Sequence, residues 1–224
     1  PTTKSAWLWP GVDFCWGGQH PRNATWEFDP ASKKWHRHPV MPIKGMATLS
    51  AFDAKTGRVV LFNGGKTLWF DPRADRYFGE SPYAGDIGWG TGTIDSDQHE
   101  FYGLVNAGLF RSRMGATAMG PIDYVTKPNA LPPGLGPSGA GLVYDSKRHE
   151  LVAWGGGKAL WVYTPATGKW GVLPTADGPA PISTYDAAAP RVFSKWIYIP
   201  AVDVFAGYNE VAQGVWLYRP SDKP

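Results

Sequence analysis

Cysteine, charge and long apolar segments are all scarce in this sequence. Cys15 is the one cysteine among 224 residues, which excludes an internal disulfide and any paired-cysteine metal or haem site. Charged residues make up 18% of the chain and leave a net charge of +3, too little for a face built to hold phosphate backbones. No apolar run approaches the ~18 residues that span a bilayer. We therefore expect neither nucleic acid as a partner nor a membrane span, and we expect Cys15, beside Phe14 and Trp16, to be a buried small hydrophobe.

Tryptophan and glycine are abundant by contrast, with 12 and 28 copies. Aromatic residues that alternate with glycines are typical of sheets joined by tight turns. Residues 141–170 show the pattern most clearly, because three apolar runs are separated by turn residues and a tryptophan closes the segment. This spacing predicts consecutive antiparallel strands. No segment has a convincing helical period, so we expect almost no helix.

The pattern recurs five times along the chain. An aromatic residue follows the end of the second strand in every copy: Trp26, Trp69, Phe110, Trp161 and Trp216. A glycine marks that strand end at intervals of 43 to 50 residues: Gly18, Gly65, Gly108, Gly157 and Gly207. A β-rich repeat of this length is typical of propeller blades. We predict a single all-β domain over residues 1–224, a β-propeller with blades at about 6–44, 45–84, 85–130, 131–180 and 181–224.

The first and last copies share a Pro-x-Val-Asp segment, at 10–13 and 200–203, and both indicate a strand, a tight turn and a second strand. The last copy ends after its third strand, which would leave an open apolar edge at 215–218. We expect that edge to pair with residues at or before the N-terminus, or with a separate polypeptide. We expect sequence upstream of residue 1 to supply the missing strand, either as one strand that closes a five-bladed ring or as part of further blades.

Two predictions concern packing and two concern the links between copies. Trp69, Trp161 and Trp216 should pack between neighbouring blades. The inner strands should bury seven aliphatic side chains: Val59, Val60, Leu61, Leu151, Val152, Ile197 and Ile199. Residues 81–90 link copies two and three. Residues 115–138 link copies three and four, and their prolines predict a segment that lies over one face without a helix.

These copies resemble the blades of kelch-type β-propellers of the galactose-oxidase-like group. Residues 52–65 carry an Asp-containing turn and an apolar strand that ends in Gly-Gly, and residues 161–170 carry the Trp-x-Tyr half that closes on Trp170. The segment 16–20 is similar to the Trp-Gly-Gly-Gly-His segment of secreted bacterial kelch-repeat proteins. The resemblance implies the fold. It leaves the activity open, because propellers serve as enzymes, lectins and docking platforms alike.

A candidate ligand site follows from the order of strands in such blades. The loops between second and third strands, and the links between blades, fall on one face, and the Asp-containing turns fall on the other. The first face collects cationic, aromatic and polar residues on one rim: His20, Arg22, Lys66, Tyr83, Asp86, Trp89, Lys158, Tyr208, Asn209 and Glu210. Such a rim would bind an anionic sugar through ion pairs and stacking on tryptophan. The alternative is that these are ordinary solvated loop residues.

No catalytic residue, cofactor or metal site is assigned from the sequence. His36 and His38 alternate along one strand but lack a third ligand. His99 and His149 occupy equivalent hairpin turns, which favours a structural role. The tyrosine and histidine pairs of copper radical oxidases are not placed, and the repeated boxes of sialidases are absent. No nucleophile elbow, phosphate loop or zinc-protease motif is present.

The function these observations favour is that of a binding module for a glycan or a partner protein. High tryptophan, proline and glycine with sparse charge favour a secreted or otherwise extracytoplasmic protein, at the cell surface or in the periplasm. Asn23 begins an Asn-Ala-Thr sequence that fits a glycosylation acceptor. The alternatives are a secreted carbohydrate-active enzyme, an oxidase or a lyase, and a structural subunit of a larger extracellular assembly.

Overall fold

Antiparallel strands account for almost all the regular structure of this chain. The computed structural model describes residues 6–8, 11–15, 18–22, 24–42, 48–63, 65–83, 87, 89–137, 139–155, 159–173, 192–208 and 214–220, and up to residue 24 it describes the backbone alone. Within these residues the helical structure is limited to three single 3-10 turns, at Pro128–Ala130, Phe193–Lys195 and Pro200–Val202. The expectation of an all-β chain with almost no helix is confirmed.

The strands form five sheets in chain order, with one separate hairpin near the beginning. The first five strands are β1 (Ala6–Leu8), β2 (Gly11–Cys15), β3 (Gly18–Arg22), β4 (Ala24–Asp29) and β5 (Lys34–Val40). Sheet one has the order β1-β4-β5, and β2 pairs with β3. Sheet two consists of β6 (Leu49–Asp53), β7 (Arg58–Asn63), β8 (Lys66–Asp71) and β9 (Arg76–Pro82) in sequential order.

The remaining three sheets are also sequential meanders. Sheet three consists of β10 (Gly90–Asp95), β11 (Glu100–Val105), β12 (Gly108–Arg113) and β13 (Asp123–Thr126). Sheet four consists of β14 (Gly141–Asp145), β15 (Glu150–Trp154), β16 (Leu160–Thr164) and β17 (Lys169–Leu173). Sheet five consists of β18 (Trp196–Ile199), β19 (Val204–Tyr208) and β20 (Val215–Tyr218).

Consecutive sheets pack face to face and share their cores. The first strands β6, β10, β14 and β18 lie next to one another in that order, and the backbone N–H of Tyr144 in β14 donates to Thr93 Oγ1 in β10 at 3.1 Å. The second strands are covered on both faces, so β7 and β15 are continuous buried apolar runs, whereas the fourth strands β9 and β17 are largely exposed. The repeat unit is therefore one sheet that needs a neighbour on each face.

The tryptophans predicted to lie between sheets do so. Trp69 is 1% exposed and packs with residues of sheet three, including Phe101 and Phe110. Trp161 is half-buried against the core that sheets three and four share. Trp216 packs at the boundary of sheets four and five, with its ring centroid 4.8 Å from that of Trp154.

Five of the seven aliphatic side chains predicted to be buried are buried: Val59, Val60, Leu61, Leu151 and Val152. Ile197 was predicted wrongly, because its side chain is 49% exposed, and Ile199 is only half-buried. Both residues are in β18, and side chains alternate between the two faces of a strand. In β18, Trp196 points into the core shared with sheet four, so its neighbour Ile197 lies on the opposite face of sheet five.

Two predicted connections differ from the observed ones. In the first copy the sequence predicts a hairpin of two adjacent strands that continues into the third, but β1 pairs directly with β4, and β2 pairs with β3 outside sheet one. In the third copy the link 115–138 contains a fourth strand, β13, which pairs with β12. In the other copies with a fourth strand, an aromatic residue stands near its beginning: Trp35, Tyr77 and Trp170. Copy three has no aromatic residue at that position, although Tyr124 within β13 pairs with Phe110.

The edge strand β20 pairs on one side with β19, and no second partner strand is found for it among the described residues. Residues 1–5, which the sequence prediction named as partners, lie outside those residues. The pairing of the outer edge therefore stays a prediction.

Candidate functional site

The first hairpin turn of sheets two, three and four has the same construction. Asp53, Asp95 and Asp145 begin the turns, and each carboxylate accepts the backbone N–H of the residue two positions later, at 2.9 to 3.0 Å. The fifth position of the turn has a positive φ, with values of 71°, 55° and 55°, and is occupied by Gly57, His99 and His149. An aspartate at the first position favours such a turn because its carboxylate satisfies N–H groups that no strand can reach.

These turns are joined from sheet to sheet by contacts between a histidine and an aspartate. His99 Nε2 of sheet three lies 3.1 Å from Asp53 Oδ2 of sheet two, and the latter carboxylate is fully buried. His149 Nδ1 of sheet four lies 2.6 Å from Asp97 Oδ2 of sheet three. The contacts place the hairpin turns of sheets two, three and four on one common surface, which we call the turn face. Each histidine thus links its own hairpin turn to the turn of the preceding sheet.

The same pattern continues to sheet five with different residues. Arg148 Nη1 and Nη2 donate to Asp203 Oδ1 and Oδ2 at 2.7 and 2.9 Å, and Lys147 Nζ donates to Asp203 Oδ2 at 2.6 Å. Arg148 and then Lys147 hold the pKa of the Asp203 carboxyl well below its usual range. Two cations of sheet four thus bind the first hairpin turn of sheet five, between β18 and β19.

A polar cleft of about 440 Å³ opens on the turn face between sheets three and four. Two tyrosines stand in its walls, and the hydroxyl of each donates to a carboxylate. Tyr144 donates to Asp97 Oδ2 at 2.6 Å, and Tyr102 donates to Glu100 Oε2 at 3.1 Å. Arg111 and Arg113 of β12 complete one wall, and Pro165 and Ala166 of the β16–β17 turn form another.

The ionisation of the cleft groups follows from these contacts. The hydrogen bond from Tyr144, and then that from His149, hold the pKa of the Asp97 carboxyl below its usual range. Burial, and then the hydrogen bond to Asp97, raise the pKa of the Tyr144 hydroxyl far above its usual value. Burial, and then the neighbouring Glu100, also raise the pKa of the Tyr102 hydroxyl above its usual value. Near neutral pH the Tyr144 and Tyr102 hydroxyls therefore stay protonated and donate their hydrogen bonds to Asp97 and Glu100.

Sequence reasoning did not identify this cleft. It placed the candidate site on the opposite surface, where the loops between second and third strands and the links between sheets lie, and which we call the loop face. The turns at 95–99 and 145–149 contain several residues of the cleft. Because these turns are equivalent in two copies, the sequence indicated a structural role for them and no ligand site. The gap between the turns of sheets three and four results from the way the two sheets pack, which the sequence of one sheet does not show.

Four of the ten predicted rim residues have described side chains, and all four lie on the loop face. Lys66 begins β8 and forms an ion pair with Glu80 of β9. Tyr83 follows β9, donates its backbone N–H to the Gly65 carbonyl at 3.0 Å, and packs its ring 5.5 Å from that of Phe62. Tyr208 ends β19 and is half-buried. Lys66 and Tyr83 are thus brought together at one end of sheet two, and no contact of either with Tyr208 is found within the described residues.

Trp89 is an exposed aromatic residue of this face. It immediately precedes β10, its side chain is 39% exposed, and its ring centroid lies 6.4 Å from that of Phe193. Phe193 precedes the first strand of sheet five, and its backbone N–H donates to Gly139 before sheet four. The entries to three successive sheets therefore meet at this point.

The other predicted positions are described less fully. His20 and Arg22 lie in β3, of which the backbone is described. Asp86, Lys158, Asn209, Glu210 and the glycosylation candidate Asn23 lie outside the described residues.

A metal site is not found among the described residues, where no group of three or more His, Cys, Asp or Glu side chains is placed to hold an ion. His38 is instead held between Asp75 and Glu27, at 2.6 and 3.1 Å, while His36 is exposed. No helix among the residues that the structure describes is long and apolar enough to cross a membrane.

Comparison with known proteins yields solved structures of similar fold. No protein-family description and no curated protein matches the chain. An auxiliary nutrient binding protein from Bacteroides ovatus is similar with a TM-score of 0.61 at 10% identity, over 95% of this chain and 59% of that one. A structural genomics protein of unknown function from Bacteroides thetaiotaomicron is similar with a TM-score of 0.59 at 11% identity, over 94% of this chain and 58% of that one. The chain spans just under three fifths of the length of these proteins, and the likeness shows that it shares their multi-sheet all-β fold.

Proposed function

We propose that this chain is an extracytoplasmic, kelch-like β-propeller that acts as a binding module, and that its loop face engages an anionic glycan. The propeller is supported by five consecutive sheets whose first strands lie side by side. It is also supported by the contact of Trp89 with Phe193. Stacked sheets are ~10 Å apart, so the third and fifth sheets of a flat stack would be separated by ~20 Å. A ring contact between their entries favours first strands that converge on a common axis.

The exposed indole of Trp89 is the observation that carries the binding function. An aromatic ring presented where inner strands converge offers a flat surface on which a sugar ring can stack. Lys66 and Tyr83 on the same face, together with the predicted partners His20 and Arg22, would supply cationic and hydroxyl groups. Asp86, Lys158, Asn209 and Glu210 belong to the same proposed rim.

The similar structure from Bacteroides ovatus supports a role in binding, since that protein is called an auxiliary nutrient binding protein. Capture of a nutrient outside the cell would also agree with the composition of this chain, and we place the protein at the cell surface, in the periplasm or in the medium on these grounds. An ammonium or guanidinium group beside an aromatic surface favours a glycan that carries carboxylates.

The experiment is a binding titration with polygalacturonate as the anionic probe and dextran as the neutral one. Trp89→Ala should weaken polygalacturonate binding by roughly five- to thirtyfold, because loss of an aromatic contact removes ~1–2 kcal/mol. Trp35→Ala is the matched control, since Trp35 is also exposed but lies in β5 beside a hairpin turn. If the wild type and Trp89→Ala both bind polygalacturonate saturably and with equal affinity, the loop face is not the binding site.

A second function, that of a subunit in a larger surface assembly, is supported by one surface of sheet five. Val215 and Leu217 are 65% and 67% exposed, and Leu217 lies in the same cross-strand row as Ile197. An exposed apolar row on an edge strand favours pairing with another chain. Leu217→Lys should then shift the protein to a smaller species in analytical ultracentrifugation. A wild type that is monomeric at all concentrations would exclude self-assembly through this surface.

A further inference from the structure

The cleft on the turn face is a separate candidate site, on the surface opposite the proposed glycan-binding rim. It is bounded by β11 and β12 of sheet three and by the turns of sheet four. Its volume, about 440 Å³, lies within the ~300–1,000 Å³ typical of small-molecule sites. It differs from most such sites in that polar groups dominate its walls.

The acceptors in this cleft are held in fixed positions. Tyr144 is largely buried and directs its hydroxyl to Asp97, and the fully buried Tyr102 directs its own to Glu100. Tyr144 and His149 both contact Oδ2 of Asp97, and Tyr102 together with the more distant Arg111 approaches Oε2 of Glu100, at 3.1 and 3.9 Å. A carboxylate offers roughly four lone-pair positions, so positions remain on the second oxygen of each group. Two carboxylates that cannot rotate freely are pre-organised to accept hydrogen bonds from hydroxyl groups.

The donors come from β12. Arg111 Nε donates to Asp123 Oδ2 at 3.0 Å, which anchors that guanidinium group. Arg113 lies two residues further along and therefore on the same side of the strand. Its side chain makes no hydrogen bond or ion pair with any residue that the structure describes, and it lines the cleft. Arg113 can therefore donate to oxygen atoms of a ligand.

The balance of charge selects the class of ligand. Asp95, Asp97 and Glu100 bring three carboxylates to the walls, against two guanidinium groups and the imidazole of His149. There is no excess of positive charge to attract an anion, and the polar walls disfavour an apolar ligand. We propose that the cleft binds a neutral saccharide, whose hydroxyl groups donate to Asp97 and Glu100 and accept from Arg113. The rings of the sugar would contact Pro165 and Ala166 through their C–H groups.

The test is saturation-transfer NMR and calorimetric titration of the whole chain with methyl glucoside, methyl galactoside, methyl mannoside and maltose. Sodium glucuronate is the anionic comparison. Glu100→Gln replaces a carboxylate with an amide of the same size, and Arg113→Gln removes the guanidinium group and shortens the side chain. Arg37→Gln is the matched control, because Arg37 is exposed on β5, far along the chain from the cleft. Trp89→Ala separates this site from the proposed rim.

At least one neutral sugar should bind to the wild type. Arg113→Gln and Glu100→Gln should each weaken that binding by about ten- to hundredfold, as expected for a hydrogen bond to a charged group. Arg37→Gln and Trp89→Ala should leave it unchanged. The inference is overturned if no neutral sugar gives saturation transfer, if glucuronate binds more tightly than the glucosides, or if both cleft variants bind as the wild type does. Loss of binding in Trp89→Ala alone would assign the neutral sugar to the loop face. Circular dichroism confirms that each variant is folded.

Discussion

Arg148 binds Asp203 with two guanidinium nitrogens, at 2.7 and 2.9 Å, and so ties the hairpin turn of sheet four to the turn of sheet five. The pair is partly shielded, because the side chains of Arg148 and Asp203 are 13% and 21% exposed. Sheet five has a neighbour on one face only within the described residues, so this pair is a principal polar link that holds it.

Replacement of Arg148 should therefore destabilise the fold. Arg148→Met should lower the free energy of unfolding by ~1.5–3 kcal/mol, since hydrogen bonds to a charged group are lost and Asp145 and Asp203 keep their charge. Lys66→Met is the control, because the ion pair of Lys66 with Glu80 is exposed and should contribute less than ~1 kcal/mol. Urea denaturation measures both. Equal losses for the two variants would contradict the importance of this link.

Stability should also depend on pH through Asp203. Its pKa is lowered in the folded protein, so its ion pairs stabilise the fold fully above the unfolded-state pKa of ~4 and lose that effect as the pH falls further. The difference in unfolding free energy between the wild type and Asp203→Asn should be largest at neutral pH and shrink below about pH 4. A difference that grows toward acid would refute the assignment.

Gly207 is required by the ring of Trp216 on the neighbouring strand. A Cβ atom at Gly207 would lie 2.5 Å from Trp216 Nε1, too close for any side chain. Gly207→Ala should cost ~1–3 kcal/mol of stability, because the indole must move within the core it shares with Trp154 and Trp196. Gly171→Ala is the matched control, since nothing lies within 4 Å of the added atom. Thermal unfolding of both variants checks the contact, and an unaltered midpoint for Gly207→Ala would show that it is absent.

The alternation of glycines and aromatics was sufficient to predict the sheets and the packing of tryptophans between them. Trp216 lies where expected because Gly207 of the preceding strand β19 leaves room for its ring, whereas the ring of Trp69 lies beside Gly79 of the following strand β9. The exposure of Ile197 was not predictable from β18 alone, since it depends on whether another sheet covers that face of sheet five. The pairing of β1 with β4 was missed because a Pro-x-Val-Asp segment predicts a local hairpin and carries no information about which strand lies beside it.

Of the two candidate sites, one could be predicted from the sequence and the other could not. The loop face followed from the order of strands, so Lys66, Tyr83, Trp89 and Tyr208 could be assigned to it from the sequence. The turn-face cleft arises from a gap between two sheets and from the buried tyrosines Tyr102 and Tyr144, whose partners lie in the turns. Sequence patterns of one sheet cannot show a gap that two sheets enclose.

The three tryptophans between sheets should differ in importance according to their burial. Trp69→Ala should cost ~3–5 kcal/mol, as is usual for a fully buried aromatic residue. Trp161 is half-buried, so Trp161→Ala should cost less than Trp69→Ala. Trp35→Ala, at an exposed position, should cost less than about 1 kcal/mol. Denaturant melts that rank Trp161→Ala above Trp69→Ala would show that the core is assigned wrongly.

Hydrogen exchange of the whole chain with and without polygalacturonate tests the proposed binding function most directly. Binding at the loop face should slow exchange in the segments 65–68, 83–90 and 192–195 and leave exchange in the turns 53–57, 95–99 and 145–149 unchanged. Protection of β20 and the exposed surface of sheet five instead, or equal exchange with and without the probe, would contradict it.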